Sequence, residues 1–419
     1  MLFPTQDSAN RKSMDKTKKI LLYAAAAIVI LAAAGLIFKH QSGQVEKDTP
    51  AKYIFVMIGD GMGATQVAAV ESYLSYQAGK LGGEQLTFTK FPVLGLCTTF
   101  SADRNITDSS ASGTAIATGS KTDNGKLGVD PEGNELKSMA YTFKEQGYRI
   151  GIMSSVPANH ATPASFYGHD MDRGDYYNIS LQIPESGFDF IAGSGLLQFN
   201  GKNNDQEPID KVLESKGYDV CFGLDELAAS TDEAGVVVVQ PSQKNAEALN
   251  YEIDRDTEFK EDRLGEVLAA AIDYLGDEKP FFIMCEGGEI DWAAHDNNMM
   301  TMTDAILRFD EAVKVAYDFY LEHKDETLII VTADHETGGI TIGSGHSSMI
   351  DWAGIEKAYE EAGETSRAEN RAISTEHNIG WASYGHTGGP VPIYAIGKGA
   401  GKFCGRMDNT DIYAKVVCE

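Results

Sequence analysis

Five short runs, almost wholly apolar, recur along the chain at 53–58, 149–154, 281–285, 327–332 and 391–396. Between them, residues 138–146, 263–275 and 303–322 place their apolar positions at helical spacing. Continuous apolar strands separated by helices predict a largely parallel sheet with helices on both faces, an α/β fold. Residues 184–262 and 336–385 are richer in polar and glycine positions. They are expected to form excursions around the sheet, the second a small cap over a site. No internal repeat or low-complexity tract interrupts the pattern.

The beginning of the chain follows another rule. Lys16, Lys18 and Lys19 precede an uncharged run over 20–38, which Lys39 and His40 close. A basic flank before an apolar run is the layout of an export signal. The run is long enough to cross a bilayer as an anchor, and Ala32-Ala33-Ala34 offers small residues for cleavage before Gly35. Both readings place the rest of the chain outside the cytoplasm, in the periplasm, and a tether to the membrane through 20–38 remains open. Met14 would serve as a natural start. Residues 41–50 are polar and end in proline, as a linker does. The expected organisation is a leader and linker over 1–50 and one folded domain over 51–419.

Charge narrows the partners. Thirty-five basic residues against 62 acidic ones give −27, which argues against an extended nucleic-acid partner. It does not exclude a small phosphorylated ligand, because bound cations reverse the sign of the field locally. Five cysteines are too few for a disulfide scaffold. Cys97 and Cys285 lie in or beside apolar runs and are expected as small buried hydrophobes. Cys404 and Cys418 could pair in an oxidising compartment.

The chemistry gathers just after the apolar runs. Residues 53–58 lead into Gly59-Asp60-Gly61, and 281–285 into Glu286, Asp291 and His295. Residues 327–332 lead into Ala333-Asp334-His335, and 149–154 toward His160 and Thr162. His386 sits in a glycine-rich turn just before the run at 391–396. Ligands of open α/β sheets bind beyond the carboxyl ends of the strands, so these residues should converge. Asp291 and His295 share a face if their segment is helical. Singly, each is a turn or cap residue. Together, four carboxylates and the imidazoles beside them point to cations. Histidine-plus-carboxylate sets suit zinc, and a remaining oxygen cluster suits magnesium.

A second element is Thr107-Asp108-Ser109-Ser110-Ala111-Ser112-Gly113-Thr114-Ala115. Its small residues let a ligand approach the backbone, and a helix starting here would aim amides at an anion. A serine hydroxyl needs activation to act as a nucleophile. With no Gly-x-Ser-x-Gly elbow around Ser109, a metal is the expected activator.

Asp108-Ser109-Ser110-Ala111-Ser112-Gly113-Thr114 resembles the active-site signature of alkaline phosphatases, with Ser109 at the phosphorylated position. The family's other motifs follow in order across nearly all of 51–400. They are Gly59-Asp60-Gly61-Met62-Gly63, His160-Ala161-Thr162-Pro163, Arg173, Glu286-Gly287-Gly288 with Asp291 and His295, Asp334-His335-Glu336-Thr337-Gly338-Gly339, and His386-Thr387.

The resemblance implies two zinc ions and one magnesium ion. Asp291, His295 and His386 would take the first zinc. Asp60, Asp334 and His335 would take the second, which would also touch Ser109. Asp60, Thr162 and Glu286 would hold magnesium. Arg173 matches the arginine that grips the substrate phosphate, a role its planar fork suits. His160 and Trp292 stand where the best-known enteric bacterial members carry aspartate and lysine. Both are expected near the substrate, and His160 puts the metal preference of the third site in question. Residues 336–385 are short for the family, so its usual dimer contacts are not assumed and a homodimer stays open.

The activity implied is hydrolysis of phosphate monoesters by in-line transfer through phosphoserine at Ser109. A phosphodiesterase or nucleotide pyrophosphatase shares the two-metal logic, but usually has a threonine nucleophile and lacks the magnesium cluster. A sulfatase would need a formylglycine precursor, which Ser110-Ala111-Ser112-Gly113 does not offer. A non-enzymatic protein that binds metal or phosphate is the alternative of a different class.

Overall fold

The computed structural model describes residues 49–228, 235–240, 263–345 and 347–418. The apolar run at 20–38 lies outside them. Among the described residues, no helix is long and apolar enough to cross a membrane. Residues Pro50–Glu419 belong to one compact unit.

Its strands are β1 (Tyr53–Gly59), β2 (Val93–Thr98), β3 (Arg149–Ser154), β4 (Phe190–Gly193), β5 (Asp219–Phe222), β6 (Val236–Val239), β7 (Phe281–Gly287), β8 (Thr327–Thr332), β9 (Glu336–Thr337), β10 (Ile340–Ile342), β11 (Ile379–Trp381), β12 (His386–Thr387), β13 (Val391–Gly397) and β14 (Gly405–Asp408). The helices that matter below are α1 (Ala64–Gln77), α2 (Ser109–Thr118), α3 (Met139–Glu145), α4 (Ala161–Ala164), α5 (Leu264–Leu275), α6 (Glu289–His295), α7 (Met299–Glu322), α8 (Trp352–Ala362) and α9 (Arg367–Glu376).

Among the described residues, ten strands form the central sheet in the order β14-β2-β13-β8-β1-β7-β3-β4-β6-β5. All neighbours run parallel except where β13 sits antiparallel between β2 and β8. The middle strands β1, β7 and β8 are buried along their whole length. That is why they read as unbroken apolar runs rather than alternating ones. Register then decides where the chemistry goes. Ile58 pairs with Glu286 and with Thr332, and Ser154 pairs with Glu286, so β1, β3, β7 and β8 end level. Because β13 runs the other way, the turn before it opens at that same edge.

The stretch 184–262 departs from its expectation. Instead of only skirting the sheet, it supplies β4, β6 and β5, which build one edge of it. The physical reason is the run Val236–Val239, four buried β-branched residues that pair with Phe190–Gly193 and Asp219–Phe222. Residues 229–234 and 241–262 of that stretch are outside the described ones. Within 336–385, β10 and β11 pair as a small antiparallel sheet beside α8 and α9. This layer reaches the body through Trp352, whose indole donates to Ser72 at 3.1 Å, and through Arg367, paired with Asp296 at 2.7 Å. The expected pairing of Cys404 with Cys418 is not found. All five cysteines are free, and Lys402 Nζ donates to Cys418 Sγ instead, at 3.2 Å.

Candidate metal centre

The nucleophile candidate is placed by a helix cap. Asp108 is the N-cap of α2 and accepts from the Ala111 amide at 2.9 Å, which fixes Ser109 at the first helical position. Asp108 also accepts from Gly125 N at 3.0 Å and pairs with Arg173 Nη1 at 3.1 Å. One carboxylate therefore ties the serine turn to the arginine. Arg173 is largely buried. Burial works against its charge, but Asp108 holds its pKa above the ordinary value.

Just after β1 the backbone must turn tightly past other groups. Gly61 has φ of +70°, and a Cβ there would lie 2.8 Å from Thr337 Oγ1 and 3.0 Å from Asp291 Oδ1. Only glycine fits that conformation and that approach. Asp60 is thereby delivered into the interior beside Asp334 and His335. His335 Nε2 lies 3.1 Å from Asp334 Oδ2, 3.4 Å from Asp60 Oδ1 and 3.2 Å from Ser109 Oγ. All four residues are buried.

On the short helix α6, the four-residue spacing brings His295 Nε2 to 3.2 Å from Asp291 Oδ2, as expected. His386 arrives from β12, which pairs with β9 so that His386 stands opposite Thr337. Its Nε2 is 3.6 Å from Asp291 Oδ1 and 3.2 Å from His295 Nε2, and its ring stacks on His335 at 3.6 Å between centroids.

Among the described residues, three sets of Asp, Glu and His each bring their potential ligand atoms within 4.8 Å of one another: Asp60, Asp334 and His335; Asp291, His335 and His386; and Asp60, His160 and Glu286. The first is a set expected from the sequence. In the second, His335 stands close enough to join Asp291 and His386, while His295 contacts both of these. In the third, His160 joins Asp60 and Glu286, and the Thr162 hydroxyl lies beside Glu286. His160 Nε2 also faces Arg173 Nη2 at 3.4 Å, and its ring meets the Trp292 indole edge-on at 5.8 Å. The expected site residues thus come together beyond the carboxyl ends of the middle strands.

Electrostatics explains what such a cluster needs. Burial, then the neighbouring Asp334, pushes the Asp60 carboxyl well above the usual carboxylate range. Burial raises Glu286 to about 7. Against burial, His335 holds Asp334 below its usual value, and the hydrogen bond with His295 does the same for Asp291. Burial, then Arg173, lowers His160 to about 3. Burial, then His335, lowers His386 to about 4. Asp60 Oδ2, Glu286 Oε1, Thr162 Oγ1 and His160 Nδ1 are buried without a hydrogen-bond partner, and Asp60 Oδ1 and Asp334 Oδ2 face the His335 imidazole. Buried carboxylate oxygens left this way are costly unless a cation meets them. The donor set, imidazole nitrogens with carboxylate oxygens, fits divalent metal ions.

Groups behind the ligands hold them in place. His295 Nδ1 donates to Tyr384 O at 2.6 Å and His386 Nδ1 to Thr107 O at 2.9 Å, while Ser154 Oγ donates to Glu286. Thr337, Glu336, Ser154 and Asp108 carry this support, and none was given a role from sequence. Thr337 and Glu336 stand inside a motif that sequence did single out, but their roles follow from the β9–β12 pairing, which composition does not reveal.

The family model for alkaline phosphatase matches residues 51–418. Alkaline phosphatase 4 of Bacillus subtilis is 32% identical over 96% of this chain and 97% of its own length. A cold-active alkaline phosphatase from a psychrophilic Shewanella superposes with a TM-score of 0.74 at 28% identity, covering 87% of this chain and 98% of that one. The TAB5 alkaline phosphatase was solved as a variant with aspartate in place of a histidine and magnesium bound in the M3 site. It gives 0.71 at 28% identity, with 88% and 97% covered.

Proposed function

This chain belongs to the alkaline phosphatase family, and from that membership we propose that it is a metal-dependent phosphomonoesterase working through Ser109. One observation supports the reading above the rest: Ser109 Oγ sits 3.2 Å from His335 Nε2, the imidazole that two of the candidate ligand sets share.

Asp291, His295 and His386 would hold one cation. Asp60, Asp334 and His335 would hold a second, beside Ser109. Asp60, Glu286, Thr162 and His160 would surround a third. Zinc suits the first two sets and magnesium the third. The TAB5 variant carries magnesium in its M3 site, which supports a third cation site in this chain as well. When bound, such cations lower the pKa of a coordinated hydroxyl and offset charge on phosphoryl oxygens.

The chain's own residues supply the rest. Ser109 Oγ attacks phosphorus, forming one O–P bond as the ester O–P bond breaks and the alcohol departs. Arg173 donates to the equatorial oxygens, held in position by Asp108. The amides at the start of α2 favour the same anion. Water then cleaves the phosphoserine, releasing phosphate and restoring Ser109. His160 faces Arg173, Trp292 meets the His160 ring edge-on, and the two would bound the substrate's place. The substrates would be small phosphomonoesters met outside the cytoplasm. Hydrolysis of a chromogenic phosphomonoester, compared with its diester, tests the proposal. Preference for the diester would favour a phosphodiesterase, and no turnover of either a binding protein.

A further inference from the structure

Thr337 occupies a position that sequence left without a role. It is fully buried, and both ends of its peptide are fixed. Its amide donates to Gly61 O at 3.2 Å, and its carbonyl accepts from Gln66 Nε2 at 2.7 Å. Gln66 in turn donates to Glu336 at 2.5 Å, and Thr387 Oγ1 donates to the same carboxylate. The β9–β12 pair is therefore clamped on both sides. Thr337 has little freedom to move.

Its hydroxyl lies between two of the candidate ligand sets. Thr337 Oγ1 is 2.5 Å from Asp291 Oδ1 and 3.2 Å from His335 Nδ1. A hydroxyl has one proton to give. The shorter contact is to a carboxylate oxygen, which can only accept, so the proton goes there as a charge-assisted bond. The hydroxyl oxygen is then the acceptor for His335, which must carry its proton on Nδ1. With that proton on Nδ1, Nε2, which faces Asp60, Asp334 and Ser109, is the nitrogen left to give its lone pair to a cation.

We propose that Thr337 is a positioning residue that orients Asp291 and fixes the tautomer of His335 through one hydroxyl, and so couples the two cation sites. The inference rests on the reading of Asp291 and His335 as metal ligands. Groups of this kind typically change metal affinity by about 10–100-fold when removed. One hydroxyl serving two ligands should change both sites together, not one alone.

The experiment is equilibrium dialysis of wild type, Thr337→Val and Thr337→Ser against buffered free zinc, with bound zinc per chain measured at each concentration. Valine matches threonine in shape but lacks the hydroxyl, whereas serine keeps the hydroxyl without the methyl group. The expected result is that Thr337→Val needs on the order of ten-fold or more free zinc to fill both sites, while Thr337→Ser binds within a few fold of wild type. Thr337→Val leaves Asp291 and His335 short of a partner, so its metal-free form should melt lower but still cooperatively; coincident far-UV circular dichroism of the three metal-free proteins separates ligand orientation from loss of fold. Wild-type zinc binding by Thr337→Val would overturn the proposal, as would an equal loss in Thr337→Ser, since the methyl packing would then matter instead. An Asp291→Asn control identifies the level at fault: if it too keeps full zinc binding, the reading of the site itself fails.

Discussion

His295 and His386 face each other through their Nε2 atoms at 3.2 Å, although 91 positions separate them in the chain. The Nδ1 of each points at a backbone carbonyl, Tyr384 O for one and Thr107 O for the other. A carbonyl only accepts, so each ring carries a proton on Nδ1 and turns Nε2 inward. Two lone pairs at that distance repel unless positive charge lies between them. Without metal, a proton on His295 serves, and Asp291 beside it raises the pKa of that ring against the effect of burial. A divalent cation supplies the same charge with directional bonds to Asp291 as well.

It follows that metal and fold are linked. The candidate ligands come from β7, α6, the turns after β1 and β8, and β12, so cations bound there bridge separate segments of the chain. A ligand present at a hundred times its dissociation constant stabilises the folded state by about 2.7 kcal/mol. For a domain of this size that is a melting shift of roughly 3 °C per site. Excess chelator should lower the melting temperature by several degrees and abolish turnover, and added zinc should restore both. A melting curve unmoved by chelator would remove the structural half of this expectation.

The third set carries its own prediction. His160 stands where aspartate could hold water around magnesium by charge-assisted hydrogen bonds, and a neutral imidazole offers no such charge. His160→Asp should reach half-maximal activity at about 10–100-fold less magnesium than wild type, at fixed zinc. Coincident magnesium titrations, or a wild type already saturated without added magnesium, would show that His160 does not tune the site.

Arg173 should matter for phosphate more than for fold, because its partner Asp108 remains tied to Gly125, Ala111 and Ser110 without it. A hydrogen bond to a charged group contributes about 1.5–3 kcal/mol. Arg173→Ala should therefore weaken inhibition by inorganic phosphate by roughly 10–100-fold with the melting temperature little changed. Unaltered phosphate inhibition would place the anion elsewhere.

The basic flank and apolar run at the start of the chain predict where the domain resides. Protease added outside intact spheroplasts should digest it. Protection until lysis would overturn the export reading.

Legibility from sequence followed burial. The five apolar runs correspond to β1, β3, β7, β8 and β13, strands in the middle of the sheet where both faces are covered. The edges were harder. β2 alternates buried with exposed residues and contains Gly95, while β4 and β5 are only four residues long. Such segments become strands only because a neighbour offers a ladder. The helix α7 begins at Met299, earlier than its apolar spacing suggests, because Asn298 caps it by accepting from Thr301 N. Within the site, the charged residues beyond strand ends were readable because few other reasons gather so many of them. The hydroxyls of Thr337 and Ser154 were not, since a hydroxyl carries no pattern until pairing shows what it touches.

The central claim is that Ser109 becomes phosphorylated during turnover. Its most direct test is acid quench of the zinc- and magnesium-loaded enzyme reacting with a labelled phosphomonoester, followed by mapping of the labelled peptide. The wild type should retain label on Ser109. Ser109→Ala should retain none and lose activity by on the order of 10³-fold or more, with its bound metals kept. Label persisting on the Ser109→Ala protein, or wild type turning over with no trapped phosphate on Ser109, would contradict the account.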